Sequence, residues 1–481
     1  MEFLLVCKTF EKLEKTSKRL EKVLILRDFI NNNKNEFKIT YNTLDIIAGN
    51  FQREINKRSI GISLKSIISV LSFIGKKNEK EIEKKFNKIG DLGILSEEIF
   101  LDKKQSTLLS SKKLEVEDII FSLKQISKLS GKDSNKKKLE ILSKLFLNAN
   151  EKLEFRFLSR LLIDDLRIGA SEGVLKEACV NTFFPQILNI HQICYKCGFI
   201  NLNMKNCFNC NEKINLNEQE SIVEKKFKFI ELGTPENEIG LKDYFKTKNK
   251  KELINFSLRI DKNKYFLKTK EPREIYNSFL SIFEKKYNLL NSFSKVLNEM
   301  KKNPQSILES EIIIGNPIKS MLGTREKNIE DSYKTSLKPA LIDFKYDGLR
   351  VQIHNNKGNI SLFSRNLDNI SKQFPEIIEY IQTNFPNETF VLDSECVGYD
   401  FDKQKFLPFQ MLSKRILTKN INDVSHIKVI VKIFDILYFN EKTLIDEPYK
   451  KRREIINKLM LNRKLKQNIN MNINFNKLIE N

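Results

Sequence analysis

No stretch of this sequence stays apolar for the roughly 20 residues needed to cross a bilayer, which argues against a membrane-spanning helix. The opening "MEFLLVCKTF" has an acid at Glu2, only a short apolar run and no small-residue cleavage site. It does not read as a signal peptide, so a cytoplasmic protein is expected. Cysteine is scarce, with 7 in 481 residues, and a large cytosolic chain with so few does not point to a disulfide framework. Proline is all but absent from residues 1 to about 183, which suits helices. Acidic residues are in deficit: Asp+Glu is 62 against Lys+Arg 84, a formal charge of +22. That surplus points to a polyanion partner, nucleic acid first, although a Lys- and Asn-rich composition accounts for part of it.

A hydrophobic fraction of 40% makes the chain globular, and its length permits two to four domains. In "FEKLEKTSKRLEKVLILRDFI", Leu13, Leu20, Leu24 and Phe29 recur at helical spacing. "SLKSIISVLSFIG" and "KKLEILSKLFLNAN" repeat the theme, with Gly75 and Asn148 or Asn150 as stops. Between about 184 and 275 the pattern changes to paired cysteines and short alternating runs, "KKFKFIELG" and "KNKYFLKTK". Helix then returns, and from about 310 the pattern is mixed α/β. Strands are expected at 340–346, 350–354, 360–365, 389–397 and 428–438. "NNKG" at 355–358 reads as a hairpin turn and "FPEIIEYIQTNF" as a helix. The expected divisions are 1–183 helical, 184–275 an inserted module, 276–308 the last helices of the first domain and 309–462 α/β. A low-complexity tail, expected to be poorly ordered, completes the chain at 463–481.

"ALIDFKYDGLRVQIH" (340–354) sets Ile342, Phe344 and Tyr346 on one side of an expected strand. Asp343, Lys345 and Asp347 fall on the other. The bland reading is a solvated salt-bridge face. The sharper one makes Lys345 a nucleophile. A lysine attacks only as the neutral amine, so its pKa of ~10.4 must be depressed by cations or desolvation. Arg350 and a bound metal would serve, and both would also hold phosphates.

"KYDGLR" resembles the K-x-D-G-x-R hexapeptide of the covalent nucleotidyltransferases: ATP-dependent DNA ligases, RNA ligases and capping enzymes. Its neighbours, in order, resemble the ligases. "GNPIKSMLG" (315–323) is similar to the segment preceding their nucleotide site, and "LFSRN" (362–366) to their second motif. "FVLDSECVGYD" (390–400) is similar to the third, and "PFQMLSKR" and "VKIFDILYFN" also follow the pattern. The resemblance implies that Lys345 attacks the α-phosphate of ATP with Mg²⁺ and passes AMP to the 5′-phosphate of a DNA nick. It further implies that Arg350 contacts phosphates and Arg365 the ribose, that Glu395 contacts the ribose and holds Mg²⁺, and that Phe434 stacks on adenine. On periodicity alone Phe434 reads as a core aromatic. The family usually has Glu where this chain has Asp343, facing the adenine amino group, and the shorter side chain implies a shifted or weakened contact.

The first part also resembles the ligases. "FRFLSRLLIDDLRIGASEGVLKEA" (155–178) is similar to the helical DNA-binding domain of the archaeal–eukaryotic replicative type. "LRIGASEG" reads as a glycine-bearing turn into a helix whose free N–H groups suit a phosphate. Arg160, Arg167, Gly169 and Ser171 are the expected DNA contacts; a plain helix corner is the alternative. The fold class implied is multidomain α and α+β: an all-helical DNA-binding domain with a small insertion, then a partial nucleotidyltransferase (adenylation) α/β domain. The family's fourth motif (E-G-[LVI]), fifth motif (K-x-K) and OB-fold are expected after "EPYKKRREIINKL" and are not found within the sequence. A C-terminally truncated ligase is therefore expected. Its partners would be nicked double-stranded DNA in replication, repair and recombination, a separate chain supplying the missing part and a sliding clamp, with no membrane. A ligase-derived DNA-binding protein without full catalysis, or an RNA ligase, stays open.

Cys194, Cys197, Cys207 and Cys210 are spaced C-x2-C-x9-C-x2-C, as two knuckles that reach one tetrahedral ion. A structural Zn²⁺ in a zinc-ribbon-like module is expected, with an iron–sulfur centre or a redox pair as alternatives. Cys7, Cys179 and Cys396 read as buried apolar groups.

Overall fold

The computed structural model describes residues 1–49, 62–104, 113–129, 133–232, 258, 260–321, 323–336, 340–341, 343–417, 427–461 and 478–479. They form two compact units, Met1–Tyr287 with Ser292–Glu309, and Asn288–Asn291 with Ser310–Asn481. Among the described residues no helix is long and apolar enough to cross a membrane. Apart from residues 478–479, the expected low-complexity tail lies outside the described residues.

The first unit opens with helices α1 (Phe3–Glu14), α2 (Arg19–Asn32), α3 (Phe37–Ile47), α4 (Leu64–Gly75) and α5 (Glu79–Ile89). It continues with α6 (Leu92–Lys104), α7 (Val116–Lys128), α8 (Ser134–Asn148), α9 (Lys152–Leu162) and α10 (Glu172–Phe183). The run at residues 10–30, helical in its spacing, is divided between two helices, α1 and α2. Thr16 breaks it: its Oγ1 accepts the Lys18 N–H at 3.1 Å and donates to Glu21 at 2.6 Å, a local alternative to helical bonding. Leu20, expected on the core stripe, is correspondingly 37% exposed. Ser63 and Ser66 form a reciprocal capping box at the start of α4, whose Ile67, Ile68, Val70, Leu71 and Ile74 are buried. Edge-on phenylalanine pairs fill the core, Phe10 with Phe157 at 5.3 Å and Phe155 with both Phe100 and Phe146.

After α10 come β1 (Gln186–Ile187), β2 (His191–Ile193), β3 (Ile200–Leu202), α11 (Gln219–Glu224), β4 (Lys228–Leu232) and β5 (Tyr265–Thr269). β1, β5 and β4 form a parallel sheet and β2–β3 an antiparallel hairpin. Helices α12 (Pro272–Leu290) and α13 (Phe293–Lys302) follow. Asp45 of α3, buried, accepts from the Ser292 hydroxyl and from the N–H groups of Phe293 and Ser294. It thus caps α13 across 247 residues of sequence.

The second unit holds α14 (Ile329–Thr335), β6 (Ala340–Leu341), β7 (Leu349–Asn356), β8 (Asn359–Ser364), α15 (Pro375–Asn384) and β9 (Thr389–Asp400). β10 (Lys405–Phe406), α16 (Phe409–Leu417), β11 (Val429–Phe439), β12 (Lys442–Thr443), α17 (Tyr449–Leu461) and β13 (Leu478–Ile479) complete it. The main sheet is antiparallel in the order β12-β11-β9-β7-β8, with β10 on β9. Lys357 and Gly358, both at positive φ, make the β7–β8 turn. Alternation sorts the faces. Val351, Ile353, Leu392, Cys396 and Val431 join the core with residues of α15 and α17. The intervening Arg350, Gln352, Asp393, Glu395 and Lys432 fall on the opposite face. The strand expected at 340–346 is corrected. Only Ala340–Leu341 pairs, with β13, and residues 343–347 lie outside any strand with Phe344 72% exposed. Phe344 has no apolar face to meet, so alternation there does not make a strand.

His191 in the first unit and His354 in the second are buried, and burial pushes each down to about 3. The unfolded chain binds those protons near pH 6.5, so between about 3 and 6.5 it holds more protons than the folded protein. Stability should fall as pH drops below about 6.5, by up to ~1.4 kcal/mol per pH unit for each histidine. Thermal unfolding followed between about pH 7 and pH 5 checks this. Replacing both histidines by Gln should flatten the profile, and an unchanged slope would refute the assignment.

Candidate functional site

Gly348 controls how the chain enters β7. A Cβ there would sit 2.4 Å from the carbonyl oxygen of Cys396 on β9, so only glycine permits this approach. The close approach here is to a neighbouring strand. It leaves Lys345 exposed just before β7, with no hydrogen-bond or ion-pair partner among the described residues. Asp343 is also exposed, and its carboxylate accepts the Phe344 N–H at 2.6 Å.

Across the central strands, register sets Arg350 opposite Glu395 and Glu395 opposite Lys432. Arg350 grips Asp393 with two hydrogen bonds, Nε to Oδ1 at 2.9 Å and Nη2 to Oδ2. Burial pushes the Glu395 carboxyl up, while the Gly348 N–H and the charges of Lys345 and Arg350 pull against it. Burial likewise lowers the Lys432 ammonium below its ordinary value. β11 is irregular between Ile433 and Asp435, the signature of a bulge, and Phe434 is the residue skipped in the ladder. Its carbonyl accepts from the Tyr449 hydroxyl at 2.6 Å and from Arg453 at 3.1 Å. Its ring stays half-buried outside the core cluster, 5.6 Å from the Arg350 guanidinium carbon. Arg365 stands exposed in the turn after β8, unpaired among the described residues. Residues 315–318 dock on the same sheet face. Gln352 bonds both backbone groups of Ile318, and His354 Nδ1 accepts the Gly315 N–H at 3.1 Å. The face thus gathers an exposed lysine, two carboxylates, further cations and a half-open aromatic ring, a set suited to a nucleotide.

In the helical unit Arg160 does not sit where expected. Only 1% of it is exposed. Its Nη2 lies 2.6 Å from Asp91 Oδ2 and its Nε 3.1 Å from Oδ1, while its Nη1 lies 3.2 Å from Glu14. The reading of Arg160 as a phosphate contact is corrected: it is buried, and its donors are committed to buried Asp91 and half-buried Glu14. Burial raises the Asp91 carboxyl, but the Arg160 guanidinium more than offsets this and holds it below its ordinary range. Asp91 also caps α6 through the Gly93 N–H at 2.8 Å, and Gly93 packs so close that a Cβ would meet Arg160 Nε at 2.5 Å. Arg167 reaches the same Asp91 oxygen as Arg160 Nη2 at 3.2 Å, also donates to Asp165 at 2.7 Å and to the Gly90 carbonyl at 2.9 Å, and remains 43% exposed. Gly169, at φ 60, and Ser171, directly before α10, are both exposed. Buried Lys22 braces this loop from below, donating to the Ile168 carbonyl at 2.8 Å.

The four cysteines converge. Their sulfurs all lie within 4.8 Å of one another, with Cys194–Cys210 at 3.6 Å and Cys197–Cys207 at 3.5 Å, and none is disulfide-bonded. Gly198, at φ 72, donates to the Cys194 carbonyl, and Asn211, at φ 58, to that of Cys207. His191 is turned to other work: its Nδ1 accepts the Ile187 N–H at 2.9 Å and its Nε2 meets Asn181 at 2.8 Å.

Residues 2–179 match the family model described as DNA ligase N terminus, and residues 320–480 match the ATP dependent DNA ligase domain. The chain belongs to the ATP-dependent DNA ligase family. Among curated ligases, that of Methanococcus maripaludis (strain C6) is 31% identical over 95% of this chain, and that of Nanoarchaeum equitans 26% identical over 96%. The chain spans 64% of the length of each. A solved structure of the ligase domain of M. tuberculosis LigD aligns with 25% of this chain and 36% of its own, at 22% identity and a TM-score of 0.21. Family membership places a helical N-terminal domain before an α/β adenylation domain. Sequence reasoning missed Asp91, Lys22 and Lys432. Asp91 carried a signal, an acid directly before an apolar helix start. The two lysines carried none in a chain so rich in lysine.

Proposed function

We propose that this chain is an adenylating DNA ligase in which Lys345 is the nucleophile. The observation that carries the reading is the cluster around Lys345: Arg350, Glu395 and half-open Phe434 gathered on one sheet face within the ligase match. The neutral amine of Lys345 forms the N–P bond to the α-phosphate of ATP as the bond to pyrophosphate breaks. The displaced amine proton passes to solvent. Glu395 would hold Mg²⁺, which supplies charge neutralisation at phosphorus. Phe434 would stack on adenine, Asp343 meet its amino group and Arg365 meet the ribose. The AMP then passes to the 5′-phosphate of a nick, and the 3′-hydroxyl displaces it. Arg167, Gly169 and Ser171 contact backbone phosphates of the duplex, which positions the enzyme without reading sequence. ATP labelled at the α-phosphate should leave an acid-stable adduct on the wild-type chain. Failure to label would overturn autonomous catalysis, and nick binding without labelling would favour a DNA-binding protein derived from a ligase.

The four cysteines would hold one structural Zn²⁺ in a zinc-ribbon module. A tetrahedral ion with ~2.3 Å Zn–S bonds sets sulfurs about 3.8 Å apart, close to the spacing found. Four thiolates leave no open position for a substrate. Metal analysis should find one zinc per chain, and Cys207→Ser or a strong chelator should lower the Tm. Iron with visible charge-transfer absorbance would replace zinc by a cluster.

A further inference from the structure

Lys432 lies on the nucleotide face of the sheet and is only 6% exposed. Register places it opposite Glu395, yet no ion pair joins them. Among the described residues the Lys432 ammonium has no hydrogen-bond acceptor. Its neighbours are two aromatic rings, Tyr346 at 5.7 Å and Phe406 at 6.0 Å. Tyr346 directly follows Lys345 in the chain. An ammonium offers three donors, and burying it with none taken is costly. Ring faces recover only part of that cost. Such a group fits a site that an anion completes. The candidate acceptor is set by position, because the same face holds Lys345 and Arg350 and suits a nucleotide phosphate.

We propose that Lys432 contacts the phosphate of the bound nucleotide beside Lys345, stabilising negative charge at phosphorus. The aromatic rings hold the ammonium on the face before the ligand arrives and keep it from collapsing onto Glu395. Glu395 is thereby left open for its own ligand. The inference rests on the nucleotidyl-transfer reading above, and two readouts separate their failures.

In the full chain, Lys432→Met keeps the length and apolar stem while removing the charge. It should weaken ATP binding, measured by calorimetry, by about 10- to 100-fold, the range for a lost hydrogen bond to a charged group. Adenosine, which lacks phosphate, should bind both proteins equally. Single-turnover labelling from α-labelled ATP should slow at least as much, and Lys432→Arg should recover part of both. The Tm of Lys432→Met should hold or rise, because an unpaired buried cation has been removed. Equal ATP affinity in wild type and Lys432→Met overturns the inference, whether or not the chain labels. So does a parallel loss of ATP and adenosine binding with a lower Tm, which would mark a packing role. A wild-type chain that binds ATP but does not label defeats the catalytic reading alone. One that does not bind ATP defeats both.

Discussion

Lys345→Ala should abolish the AMP adduct, lowering labelling by at least about 1,000-fold, because it removes the proposed attacking amine. Lys345→Arg should fail as well. It keeps the charge, but a guanidinium is not deprotonated in proteins and cannot attack phosphorus. Neither change should move stability by more than ~0.5 kcal/mol, since Lys345 is exposed and has no partner among the described residues. Calorimetric unfolding alongside the labelling assay therefore separates lost chemistry from lost fold. An adduct that persists in Lys345→Ala would remove this residue from the nucleophile role and with it the proposed reaction.

Arg160→Ala and Arg167→Ala should part company. Arg160→Ala strands buried Asp91 without its bidentate partner and should cost about 3–5 kcal/mol in stability. Arg167 is 43% exposed, so its loss should be mild for the fold. It should instead weaken binding to nicked duplex across all sequences and reduce the salt slope by about one. Urea unfolding and salt-dependent binding of the two variants check this. If Arg160→Ala left stability intact and only weakened DNA binding, its place as a buried structural arginine would be wrong. Acid should expose the same network. Asp91 is held below its ordinary range, so its contribution is present above the unfolded carboxyl pKa and is lost as pH falls through the lower folded value.

Much of the fold was legible because the periods were clean. The alternation of Val351 and Ile353 with Gln352 and His354 reads directly as a two-faced strand, and the structure pairs them so. The same rule failed at 343–347. There the alternation is real, but no neighbouring strand accepts it, and Phe344 stays in the open. The helical stretch at 10–30 is split in two for a local reason, a threonine hydroxyl competing for the backbone. Phe434 could not be placed by period at all. Its position depends on a bulge, which exists only once β9 and β11 are paired.

By itself the sequence determined which chemistry this chain can attempt. Lys345 in K-x-D-G-x-R and four cysteines in two knuckles are local patterns, and the order of the nucleotidyltransferase motifs, not the cysteines, carries the family resemblance without any coordinates. Tertiary structure decided which charges are available for that chemistry. Arg160 and Arg167 look alike in sequence, yet one is buried between Asp91 and Glu14 and the other reaches the surface. Lys432 looks like any of many lysines until β11 sets it opposite Glu395 with rings for neighbours. The physical reason is that what a charge can do for a ligand is set by its burial and by its partners. Burial and partners are properties of elements far apart in sequence, and only the folded chain brings them together.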